Sequence, residues 1–125
     1  MDPLNDIYES KQRIIQETVP GKQITLAHII ANPDSTLYRK LGLDPTVDYT
    51  TKSAIGIVTM TPSEYAIIAA DISLKSSGAE VGFVDRFSGT LIVVGSVSSV
   101  EAALFATLDY ARQKLGFNVC EITKT

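Results

Sequence analysis

His28 is the only histidine in the chain and Cys120 the only cysteine. A histidine works as a general base when a nucleophile or carboxylate lies in reach. The surrounding run Q-I-T-L-A-H-I-I-A supplies neither, so His28 reads as a structural side chain on a strand face. Cys120 alternates with Asn118 and Ile122 near the end of the chain. It would hold a metal or cluster only if several copies met on a symmetry axis, because no second Cys or His gives ligand spacing. Packing as a small hydrophobe is the simpler reading. Asp85-Arg86, with Glu64 and Asp71 upstream, offers carboxylates for acid–base work, but such work needs a shared cleft, and a solvated ion pair is the default. The glycines at 78, 82, 89 and 95 form neither a G-x-G-x-x-G nor a P-loop pattern. Lys75 follows Asp71 by four residues, the spacing of a surface pair on a helix. Nothing here argues for catalysis, a cofactor or a metal.

The elements that must position these residues fit one domain. A chain of 125 residues, 45% hydrophobic and 20% charged, has room for one compact core. The net charge of −3 is ordinary, and Lys and Arg are scattered, so no basic stripe suggests nucleic acid. No apolar run approaches the ~20 residues that cross a bilayer. The opening Met1-Asp2-Pro3-Leu4-Asn5-Asp6 is acidic where a secretory signal would be basic and then apolar, which predicts a cytoplasmic protein. One cysteine excludes an internal disulfide. Five Tyr, four Phe and no Trp leave few large anchors, and the mean hydropathy of +0.15 is high for a small monomer. Apolar surface beyond one subunit's core is expected to be covered by other subunits.

Residues 1–12 read as a flexible tail, followed by a single domain over residues 13–125. Arg13 to Val19 has strand composition, and Pro20-Gly21 turns the chain. Gln23 to Ala31 is a second strand, with Ile24, Leu26, His28 and Ile30 on one face by its two-residue period. Asn32-Pro33 has the chemistry of a helix start, with Leu37 and Leu41 on the helix and Gly42 closing it. Residues 43–53 read as a loop. Ala54 to Met60 is a buried strand. Thr61-Pro62-Ser63-Glu64 has capping-box spacing before a helix to about Ser77, with Ala66, Ile67, Ala70 and Leu74 as its apolar face. Val81 to Phe87 and Thr90 to Val94 form a hairpin around Ser88-Gly89. Ser98 and Glu101 repeat the capping spacing before a helix whose stripe is Val100, Leu104, Leu108, Ala111 and Leu115, ended by Gly116. Phe117 to Thr123 is the last strand. From residue 54 the order is β-α-β-β-α-β, an α+β, ferredoxin-like layout with helices on one side of an antiparallel sheet.

Two stretches carry a family likeness. Gln16 to Ala31 reads Q-E-T-V-P-G-K-Q-I-T-L-A-H-I-I-A, and Ser53 to Ser96 contains S-A-I-G-I-V-T-M-T-P-S-E, A-A-D-I-S-L-K-S and G-F-V-D-R-F-S-G. Together they resemble the circularly permuted shell proteins of bacterial microcompartments, in particular the U-type and S-type members of propanediol- and ethanolamine-utilisation compartments. The resemblance implies a ferredoxin-like BMC shell domain, with elements that are usually C-terminal moved to the front. It implies a homohexamer that packs with other shell proteins around encapsulated enzymes, without cofactor, nucleic acid or membrane. It also implies roles for particular residues. Arg13, Ile14, Ile15, Gln16, Glu17, Thr18 and Val19 become a strand of a small parallel β-barrel over the central pore. Arg86, Phe87, Ser88 and Gly89 correspond to the pore loop. Lys75 matches an edge lysine between hexamers, and Asn32 stands where ordinary members carry an edge arginine.

The alternative is a small ferredoxin-like ligand-binding or regulatory module, since that fold also serves as an allosteric sensor. The strand pair around Pro20-Gly21 separates the two readings, because a sensor has no evident use for it.

Overall fold

The computed structural model describes residues 21–125, so the tail expected over residues 1–12 and the strand expected over Arg13 to Val19 lie outside the described residues. The chain runs β1 (Gln23–Ala31), α1 (Ser35–Lys40), a 3-10 turn (Tyr49–Thr51), β2 (Ala54–Thr61), α2 (Tyr65–Ser76), β3 (Glu80–Asp85), β4 (Thr90–Gly95), α3 (Val97–Lys114), β5 (Asn118–Val119) and β6 (Thr123–Lys124). The β-α-β-β-α-β order from residue 54 is present. The sheet order is β3-β4-β2-β1-β5, with β6 beside β1 farther along. β1 therefore lies between β2 and the end of the chain. β1 pairs antiparallel with β2, as do β2 with β4 and β3 with β4, but β5 and β6 run parallel to β1. The sheet is mixed, not antiparallel throughout, and the last strand is two pieces separated by residues 120–122.

One face of the sheet carries the main core. Ala54, Val58, Leu91 and Val93 point into it and meet Val100, Ala103 and Leu104 of α3 and Ala66 and Ala69 of α2. A Cβ on Gly56 would fall 2.7 Å from both Leu104 Cδ1 and Val100 Cγ1, so the missing side chain lets α3 lie close on β2. The expected α3 stripe is correct, with Val100, Leu104, Leu108 and Ala111 buried, and Gly116 follows in the left-handed region at φ +72°.

Helices do not keep to one side. Ile55, Ile92 and Val94 point to the other face and pack with Tyr38 of α1 and Leu43 in a second, smaller core. The loop after α1 is tied down locally. The Thr46 and Thr50 amides donate to Asp44 and Asp48 at 2.9 and 3.0 Å, the Tyr49 hydroxyl donates to the Asp44 carbonyl at 2.7 Å, and Tyr49 stacks on Tyr38.

Local chemistry overrides four sequence expectations. A bulge between Ile24 and Leu26 shifts β1 by one residue, so Ile24, Ala27 and Ile29 face the helices while the faces of Leu26, His28 and Ile30 are reversed. Asn32 caps nothing: it sits at φ +49°, and Asp34 caps α1 by accepting from the Thr36 amide. Thr61 stays in β2, and Glu64 begins α2 without a side-chain cap, so no capping box forms there. Ser96, not Ser98, caps α3 by accepting from the Ser99 amide at 3.1 Å.

Candidate assembly surfaces

The α2 helix carries apolar residues on both its inward and its outward side, beside the exposed pair Asp71 and Lys75. Its inward positions are small, Ala66, Ala69, Ala70 and Ser73, which lets it lie close to α3, where Ser73 and Thr107 hydroxyls meet at 3.1 Å. The larger apolar residues face out: Ile67 and Leu74 are each 53% exposed and Ile68 is exposed beside them. The face expected to unite Ala66, Ile67, Ala70 and Leu74 is therefore split, because close helix packing selects alanine and excludes isoleucine and leucine. Exposed aliphatic side chains grouped on one helix form a surface that a partner can cover, and within the described subunit nothing covers Ile67, Ile68 and Leu74.

The β3–β4 hairpin is the second surface. Asp85 does not pair with Arg86; its carboxylate accepts from the Phe87 amide at 2.9 Å and the Ser88 hydroxyl at 2.8 Å. Those bonds hold the Asp85 carboxyl below the usual carboxylate range, the amide bond first. Arg86 lies 4.9 Å over the Phe87 ring, and Phe87 is 81% exposed. Gly89, at φ +74°, accepts the Met60 amide, and a Cβ there would run into the Met60 carbonyl. The loop is thus a rigid turn that presents an aromatic ring to its surroundings.

The residues singled out in the sequence sort to two ends of the molecule. The hairpin loop lies at the Met60 end of β2, where β1 begins. Asn32 lies at the other end, its amide bonded to the Ser53 carbonyl at 2.7 Å, and α2 runs back to bring Lys75 toward that end. Lys75 pairs with Asp71 at 2.8 Å, as the four-residue spacing predicts. That hydrogen bond, more than the charge itself, raises the Lys75 pKa.

Neither lone residue gathers a reactive set. His28 bonds to the hydroxyls of Thr123 and Thr125 at 2.6 and 3.0 Å, a structural tie between β1 and the C-terminal edge. Cys120 is half-buried against the main core. Among the described residues no group of three His, Cys, Asp or Glu side chains is placed to hold a metal, and no helix is long and apolar enough to cross a membrane. The outward side of α2 escaped sequence reasoning, although its alternation of alanine with large aliphatics was a usable signal.

A folded α+β unit with an apolar helix turned outward is a subunit made to be covered by others. Residues 54–123 match the family model for the BMC domain. The chain is 52% identical over 113 residues to the bacterial microcompartment shell protein PduU of Salmonella typhimurium, covering 90% of this chain and 93% of that one. It is 49% identical over 115 residues to the shell protein EutS of Escherichia coli, covering 92% and 98%. A solved structure of a CutR flat hexamer matches at 49% identity and a TM-score of 0.76, covering 90% of this chain and 99% of that one. The chain belongs to the BMC-domain family of bacterial microcompartment shell proteins.

Proposed function

We propose that this shell protein forms a cyclic homohexamer, and that the hexamers join other shell proteins in the wall around encapsulated enzymes. The observation that carries the proposal is α2, whose outward Ile67, Ile68 and Leu74 have no place in a lone soluble subunit. The CutR flat hexamer, similar over nearly its whole length, supports the cyclic form. The role is structural, as in the family.

Circular permutation is part of this reading. The BMC match begins at residue 54, yet β1 precedes it in sequence and occupies an inner position of the sheet. An element placed before the matched segment but inside its sheet is what permutation produces.

The remaining roles follow from the two ends of the subunit. Arg13 to Val19 leads into the start of β1, beside the hairpin, and six copies make a parallel barrel over the pore. The Arg86–Gly89 loops surround that axis. Lys75 and Asn32, at the opposite end, meet neighbouring hexamers.

Native mass spectrometry tests the ring: six chains of 13.5 kDa are expected. A stable monomer at tens of micromolar overturns it. Electron microscopy of the same sample then shows whether rings join into sheets or tubes.

A further inference from the structure

A pocket of about 600 Å³ lies between α1 and the loop that follows it, lined by residues of neither α2 nor the hairpin. That volume is usual for a small-molecule site. Its apolar wall includes Pro33, Leu43 and the Tyr38–Tyr49 stack, whose ring centroids are 5.4 Å apart. Its charged wall is Arg39 and Lys52, and no carboxylate lines it.

The walls are built in advance. The Asp44 amide donates to the Gly82 carbonyl at 2.8 Å, and Lys52, its side chain 14% exposed, pairs with Glu80 at 3.3 Å, so both ends of the loop are fastened to β3. Walls fixed in this way lower the ordering cost of binding. The carboxylates nearby are already engaged. Asp34, Asp44 and Asp48 accept from the Thr36, Thr46 and Thr50 amides at 2.9, 2.9 and 3.0 Å, and Glu80 is held by Lys52. Asp34 feels the Arg39 charge without pairing with it, and Arg39 belongs to no ion pair among the described residues. Its planar guanidinium is left to meet an oxyanion. Tyr38 adds a second sign. Its ring lines the pocket, yet its buried hydroxyl has no hydrogen-bond partner among the described residues. An unmet buried hydroxyl costs stability, and packing alone would be served by phenylalanine.

We propose that this pocket binds a small molecule carrying an oxyanion head, a carboxylate or a phosphate, on a planar apolar body. Arg39 takes the head, and Tyr38, Tyr49 and Leu43 receive the body. Each chain holds a complete site, so the shell subunit has a ligand-binding role beside its structural one.

Phenyl phosphate and benzoate are the probes, titrated into the full-length protein by saturation-transfer NMR. Each should bind with a Kd of about 1 mM, the order expected for ligands of this size. Benzyl alcohol lacks the charge and inorganic phosphate lacks the body, so each should bind at least about tenfold more weakly. The better of the two anions identifies the head. Arg39→Gln should weaken both about tenfold. Lys40→Gln makes the same charge change one residue along α1, outside the pocket lining, and should leave both within about twofold. Both side chains are exposed, so both variants should keep the fold. Equal losses in the two variants would reduce the binding to net charge and overturn the site. A neutral probe as good as the anions overturns it too, as does binding that survives Arg39→Gln, which places the probe elsewhere, such as on the exposed side chains of α2. So does a failure of both anions to saturate below about 10 mM. Native mass spectrometry of the same sample reads the ring separately, so either conclusion can fail while the other stands.

Discussion

Two helices lie on the same face of one sheet and follow opposite rules. The large aliphatic residues of the α3 stripe turn inward, Val100, Leu104 and Leu108 fully and Leu115 partly buried against the same core. In α2 the fully buried residues are alanine and serine, with Tyr65 and Ile72 partly buried, and Ile67, Ile68 and Leu74, which would fill a core, are outside. The packing of the single chain determines α3. Contacts that the single chain lacks determine α2. The hydrophobic pattern of an assembling subunit therefore records two environments, and the stripe that obeys the simple periodicity is the one buried within its own chain, while Phe105 on the same helix stays 62% exposed.

The largest expected effect falls on α3. Leu104 has no exposure and contacts the bare backbone at Gly56. Leu104→Ala should remove about 2–5 kcal/mol of stability, the range for a large-to-small change in a tight core. Urea unfolding at concentrations low enough to dissociate copies measures it. A loss as small as that of an exposed residue would end the contrast between the helices.

On α2 the balance reverses. Leu74→Ser and Ile67→Ser remove exposed side chains, so the dissociated chain should change by no more than about 0.5 kcal/mol in the same urea experiment. Assembly should fall instead, because each side chain is repeated in every copy. Native mass spectrometry at matched concentration reads it. Equal losses in both measurements would mean that α2 belongs to the subunit core after all.

The sequence made α3 legible because stripe, cap region and terminating glycine all agree within one chain. It made Lys75–Asp71 legible because i,i+4 spacing is local geometry. What stayed hidden depends on relations outside a short window. The β1 bulge moved Ile24 from one face to the other, and a one-residue shift exchanges every subsequent side chain. Asn32-Pro33 resembled a cap, but the chain takes a left-handed residue there to leave β1, and Asp34 caps two residues later. The break of the last strand at residues 120–122, beside α3, likewise follows from tertiary placement, so no run of residues announced it. The two ends of the subunit became visible only when the sheet order was known.

The smaller core offers a pH test of the same comparison. Amide and hydroxyl bonds from Thr46 lower the Asp44 pKa, and hydroxyl and amide bonds from Thr50 lower that of Asp48. A depressed folded-state pKa contributes stability above the ordinary value of 3.8, and that contribution disappears as pH falls through the depressed value. Stability should therefore drop in acid below about pH 4. Asp44→Ala with Asp48→Ala should flatten that drop without altering the hexamer at pH 7. An unchanged acid slope in urea titrations would remove the loop carboxylates from this account.

The smallest effect on the chain is expected at Lys75, which also makes it the sharpest probe of what α2 faces. Its side chain is 75% exposed and its one ion-pair partner among the described residues is Asp71, itself 57% exposed. A pair in that much water contributes little to folding. Lys75→Ala should leave unfolding by urea unchanged, and the hexamer mass should remain six chains. A lysine at an edge between hexamers acts differently, laying its apolar stem along the neighbour while the ammonium reaches carbonyl groups. The same loss then recurs at every boundary of a layer, so a change too small to register in one chain multiplies across the assembly. Electron microscopy of parent and variant at equal concentration should show fewer or shorter sheets and tubes in the variant. Assembly at full extent would move the contact between hexamers away from Lys75 and toward the Asn32 side of the same end.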